Sequence, residues 1–128
     1  MAMLAKVFLC FLVLVFAGIG LTALADPAAI AGKFDLALQS TKASAEVRGL
    51  YGGGFVAWAL IIIAALRFKV LAPGLLTAMG ISMGAIAIAR IVSIATDYAP
   101  DFNLPAFAVE ALAAGACWIL YKNVKPTA

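Results

Sequence analysis

Four unbroken apolar runs, each about as long as a lipid bilayer is thick, restrict the fold of this chain more than any other feature. They fall at about 7–25, 46–66, 71–95 and 104–121. A helix rising 1.5 Å per residue needs roughly 17–25 apolar residues to cross the hydrocarbon core. Hydrocarbon offers the backbone no hydrogen-bond partner, so only helices and closed barrels cross it. The runs are continuous rather than alternating, which selects helices over barrel strands. The expected fold is an all-α membrane protein: a four-transmembrane-helix bundle forming one domain over residues 1–128.

Composition points the same way. Hydrophobic residues make up 66% of the chain and charged residues 12%, about half the charge of an ordinary soluble domain. A soluble fold would lack the polar surface to cover so much apolar side chain. The net charge of +3 does not indicate nucleic acid, because the basic residues are scattered and not gathered with aromatics on one face. Cys10 and Cys117 lie inside apolar runs and read as small buried hydrophobes. With no histidine and no CxxC, zinc, haem and Ser-His chemistry have no ligand set, and no cofactor is expected.

The first run also resembles a secretory signal, with Lys6, an apolar core and Ala23-Leu24-Ala25 before Asp26. Its apolar stretch is longer than a usual signal core, so a retained span is expected. Asp26-Pro27 then opens a helix, since Asp can cap and Pro suits the first turn. Ile30, Phe34, Ala37 and Leu38 would share one face of it, giving a short interfacial helix in the first outer loop. It could be a plain connector or a lid. Ser44 is the expected cap of the second span. Arg67-Phe68-Lys69 forms a tight turn, and Pro100 and Pro105 bracket a final loop that should not be helical throughout.

Once four spans are drawn, Lys6, Arg67, Lys69, Lys122 and Lys125 lie on one side of the membrane. Lys33, Lys42 and the acidic residues lie on the other. The positive-inside rule places both termini in the cytoplasm, in a bacterial inner (plasma) membrane.

The same drawing gathers charge on the outer side. Glu46 and Arg48 stand at the outer end of the second span, Arg90 and Asp97 in the outer half and at the end of the third, and Glu110 in the outer half of the fourth. Arg90 is roughly 9 Å and Glu110 roughly 5 Å from the midplane. An unpaired charge at such depths costs a few kcal/mol, so Arg90 and Glu110 are expected to pair as a buried salt bridge between the third and fourth spans. Arg90, Ser93 and Asp97 form one helical stripe, as do Glu110, Ala113, Ala114, Cys117 and Tyr121. Arg48, Tyr51, Gly52 and Phe55 would share a face of the second span. The cluster Glu46, Arg48, Tyr51, Arg90, Asp97 and Glu110 could be a structural network or a pocket for an anionic head group. It could also be an ion path, although no charge in the inner half completes one. Gly49-x-x-x-Gly53 and Gly80-x-x-x-Gly84 are small-residue motifs of the kind that let helices approach closely. Trp118 and Tyr121 suit an interfacial belt, and Trp58, mid-span, reads as packing.

The run Glu46-Val47-Arg48-Gly49-Leu50-Tyr51-Gly52-Gly53 resembles the E-x-R-x-x-Y-G-G signature of a family of small bacterial four-helix membrane proteins of unknown function. Arg90, Asp97 and Glu110 are similar to that family's other polar positions. The resemblance implies the bundle and the importance of the cluster, and carries no activity.

Three functions remain open. The first is an accessory or scaffold subunit, with a larger membrane complex, a homo-oligomer or membrane lipid as partner and no nucleic acid. The second is a protein that binds a lipid or small amphiphile, with Arg48 and Arg90 on the head group and Phe55 on the tail. The third is a membrane enzyme using Glu46 or Glu110 as acid or base and Tyr51 as proton donor. It lacks a nucleophile, a metal set and a recognised catalytic spacing.

Overall fold

The structure, a computed structural model, describes residues 3–96 and 100–124. Every regular element among these residues is helical. Four stretches are long and apolar enough to cross a membrane: Met3–Ala25, Thr41–Arg67, Lys69–Thr96 and Asp101–Val124, of 23, 27, 28 and 24 residues. At 1.5 Å per residue the shortest extends about 35 Å, against a hydrocarbon core of about 30 Å. Their outer faces are apolar. Leu14, Leu50, Val109 and Leu112 are each at least two-thirds exposed, as suits side chains solvated by lipid. Cys10, expected to be buried, is exposed on the first helix, whereas Cys117 is buried.

The chain divides into two compact units, Lys6–Arg67 on the one hand and Met1–Ala5 with Phe68–Ala128 on the other. In the first unit α1 (Met3–Ala25) is followed by the short α2 (Pro27–Ala31), which tightens into a 3-10 turn, Gly32–Phe34. The Asp26 side chain accepts hydrogen bonds from the N–H groups of Ala28 and Ala29, and Pro27 occupies the first helical position, as the Asp-Pro pair dictates. The helix is shorter than expected and leaves out Ala37 and Leu38. It ends because Asp35 turns left-handed, at φ 54°, after which residues 36–39 form no regular element. The anticipated apolar face is nevertheless partly realised. Ile30 joins Ala23 and Val47 in a buried cluster against which Ile19, Leu38 and Tyr51 pack.

The second span opens at Ser40, whose hydroxyl accepts from the Ala43 N–H. Ser44, expected to be the cap, lies one turn inside. Serine caps from the residue just before the first helical turn, and here α3 (Thr41–Val47) already starts at Thr41. α3 passes without a break into a π-helical segment, Arg48–Gly53, and then into α4 (Gly54–Arg67). The Gly54 N–H donates to the Gly49 carbonyl, five residues back. One additional residue per turn rotates α4 by about 100° relative to an unbroken α-helix.

In the second unit Phe68 alone separates α4 from a 3-10 turn, Lys69–Leu71, that leads into α5 (Ala72–Thr96). α6 (Pro100–Val124) begins earlier than expected, at Pro100, and carries Pro105 inside it. The Pro-bracketed segment is therefore helical from Pro100 onward. Pro100 occupies the first position, where no N–H is needed. Pro105 costs one bond, to the Asp101 carbonyl, and exposed Asp101 stands at the helix end, where that carbonyl can be solvated.

Candidate functional site

α5 and α6 are antiparallel, and two contacts define their register. A Cβ placed on Gly80 would lie 3.3 Å from the Trp118 ring nitrogen and 3.4 Å from the Cys117 Cβ. Ten residues further along α5, and seven back from Cys117 on α6, Arg90 meets Glu110. The Arg90 Nη2 donates to Oε1 at 3.1 Å, and Nε donates to both carboxylate oxygens at 3.3 Å. The carboxylate thus takes the Nε–Nη2 edge of the guanidinium, in a two-pronged, charge-assisted geometry. On the opposite edge Nη1 reaches the Asn103 Oδ1 at 3.5 Å. The Phe102 ring centroid lies 5.2 Å from the guanidinium carbon, within the range of a cation–π contact.

Arg90 is therefore engaged on three sides by α6. The pair is half-buried rather than buried, with the Arg90 and Glu110 side chains 28% and 16% exposed. The long side chains allow this: each can bury its stem and keep its charged end partly hydrated. Asn103 is the one buried polar residue among those described, at 4% exposure. Sequence reasoning missed it and Phe102 by assigning both to a loop. The signal was there, because Asn103 stands seven residues before Glu110 and so on the same helical face.

The other expected site residues in the described chain lie in the first unit. The Arg48 Nε donates to the Leu24 carbonyl at 3.2 Å. Leu24 is the penultimate residue of α1, so this carbonyl is one of the four that a helix end leaves unpaired. A cation also suits the negative end of the helix dipole. Tyr51 stacks between Phe34, at 5.7 Å, and Phe55, at 6.0 Å, and Phe55 meets Phe16 edge-on at 5.4 Å. The predicted shared face of Arg48, Tyr51, Gly52 and Phe55 is divided by the π segment. Arg48 and Gly52 turn to the end of α1, while Tyr51 and Phe55 form the aromatic ladder. Glu46 is exposed. Asp97 lies outside the described residues. Trp118 and Tyr121 meet edge-on at 6.2 Å.

The small-residue motifs are corrected in part. Gly80 meets α6 closely, at Trp118 and Cys117, and the other close approaches occur at Gly20 and Gly52. A Cβ on Gly20 would fall 2.9 Å from the Val56 backbone nitrogen and 3.0 Å from the Gly52 carbonyl oxygen, and one on Gly52 would fall 2.7 Å from the Leu24 Cδ2. Gly49 and Gly84 face open space. Spacing alone cannot say which glycine of a helix faces its neighbour, and the π segment shifts the phase. Among the described residues no three His, Cys, Asp or Glu side chains form a metal-holding group.

Four apolar helices of spanning length, with their charges drawn into an ion pair and a helix-end contact, define a small multi-pass membrane protein. The chain belongs to the family described as Domain of unknown function (DUF4345), whose model matches residues 4–121. No curated protein and no solved structure matches it.

Proposed function

We propose that this protein is a non-enzymatic accessory or scaffold subunit of a larger membrane complex, built as a single four-helix bundle in a bacterial inner membrane with both termini in the cytoplasm. The short helix from Pro27 lies at the outer surface as a connector. The observation that supports this reading best is the state of Arg90. Its guanidinium is engaged by Glu110, Asn103 and Phe102 of the neighbouring helix, so its chemistry serves to hold α5 against α6. Glu110 is in turn committed to Arg90, which disfavours it as a free acid or base. The exposed apolar faces of the four spans supply surface on which another membrane subunit can pack by dispersion.

The test is affinity purification of the tagged chain from native membranes in mild detergent, followed by native mass spectrometry. The expected result is a larger membrane protein at fixed stoichiometry. Recovery of the chain alone, carrying a stoichiometric lipid that Arg90→Gln removes, would replace the subunit reading with a binding site at Arg90.

A further inference from the structure

We propose a binding site, outside the Arg90–Glu110 pair, at which Arg48 holds the phosphate of an anionic phospholipid. The inference goes beyond the subunit reading and does not depend on it. Four features of the unit Lys6–Arg67 carry it.

The first is the anchoring of the guanidinium. Arg48 spends only its Nε, on the Leu24 carbonyl at 3.2 Å. Among the described residues no carboxylate lies within ion-pair distance of it, the only such pair being Arg90–Glu110. The anchored Nε fixes the plane of the group and leaves the Nη1–Nη2 edge available. That edge presents two parallel donors, the geometry that matches two oxygens of a phosphate.

The second is the absence, among the described residues, of an internal counter-charge. The nearby carboxylates are directed elsewhere. Asp26 is bound to the N–H groups of Ala28 and Ala29. Glu46, two residues before Arg48, stands about 200° around the helix from it. A cation fixed at the end of an apolar helix, without an acidic partner among the described residues, is suited to take an anion from outside the chain.

The third is depth. α1 ends beside Arg48, and the polar segment beyond it, with Asp26, Lys33, Asp35 and Lys42, marks this end of the unit as its water-facing end. Arg48 therefore stands level with the last turn of a spanning helix, where phospholipid phosphates lie. The fourth is the π segment. It starts at Arg48, and segments of this kind occur often at functional sites. Here it turns Arg48 and Gly52 toward the α1 terminus, and Gly52 has no side chain to stand between them.

The experiment is native mass spectrometry of the purified full chain in non-ionic detergent, titrated with equimolar phosphatidylglycerol and phosphatidylcholine. The wild type is expected to retain one phosphatidylglycerol, with a preference of about fivefold. Arg48→Gln should bring the preference to parity. Arg48→Lys, which keeps the charge and loses the fork, should fall between them. Arg90→Gln should leave the preference unchanged. Helix content by circular dichroism identifies a variant that has not folded, and Arg48→Lys then carries the comparison. Equal retention of the two lipids by the wild type, or an undiminished preference in Arg48→Gln, overturns the proposal. Displacement of the bound lipid by millimolar inorganic phosphate also overturns it, in favour of a site for soluble phosphate compounds.

Discussion

At the scale of single residues, Arg90 and Glu110 behave as one unit. Removing either partner strands the other in a half-buried, largely apolar setting, which costs about 1–3 kcal/mol at this exposure. Removing both strands nothing. Arg90→Ala and Glu110→Ala should therefore each lower the unfolding free energy, and the double variant should lose less than the sum, by about 0.5–2 kcal/mol. Unfolding of the four proteins in mixed micelles measures this, and strict additivity would show that the two charges are solvated independently. The pair was legible in the sequence because a charge deep in an apolar run needs a partner, and only one opposite charge lay at a matching depth on the adjoining helix. Asn103 and Phe102 were not, because two prolines made their segment look like a loop. The bond from Arg48 to the Leu24 carbonyl was invisible for another reason: a backbone acceptor carries no residue-type signature.

At the scale of elements, the spans were legible and their fine phase was not. Length and unbroken apolarity suffice for four helices, but a π segment leaves no mark in hydropathy, although Gly52-Gly53-Gly54 marks where the backbone can take it. The crossing of α1 with the π segment and α4 makes the point testable. A methyl on Gly20 meets main-chain atoms of Val56 and Gly52 at 2.9–3.0 Å, and main chain cannot move aside cheaply, so Gly20→Ala should destabilise by about 1–3 kcal/mol. A methyl on Gly52 meets chiefly the end of the Leu24 side chain, which is 42% exposed and can swing away, so Gly52→Ala should cost less than about 1 kcal/mol. Gly18, two residues from Gly20 on the same helix, faces open space. Gly18→Ala should be neutral, or stabilising by up to about 1 kcal/mol through helix propensity. Thermal unfolding followed by circular dichroism ranks the three, and similar losses at Gly18 and Gly20 would refute the crossing described.

At the scale of the whole molecule, the property that most needs a test is the way the chain threads its membrane. Orientation depends on basic residues in short loops near span ends, with acidic residues contributing little. Arg67 and Lys69 flank the one-residue break at Phe68, Lys6 lies in the first turns of α1, and Lys122 closes α6. Lys125 follows α6 in the sequence, and an even number of spans puts all five at one face. Lys33 and Lys42 are the basic residues of the opposite loop, and they stand among Asp26, Asp35 and Glu46. Five against two favours termini in the cytoplasm, with Arg67 and Lys69 supplying two of the five. A fluorescent protein fused after the last residue should therefore mature, and alkaline phosphatase fused there should be inactive. The same phosphatase inserted between residues 35 and 39 should be active. Replacing Arg67 and Lys69 together by glutamate leaves three basic residues, Lys6, Lys122 and Lys125, against two, so the bias should weaken sharply and both reporters should give partial signals from a mixed population. Full activity of phosphatase at the C-terminus of the unaltered chain would reverse the topology and place Arg48 at the cytoplasmic face.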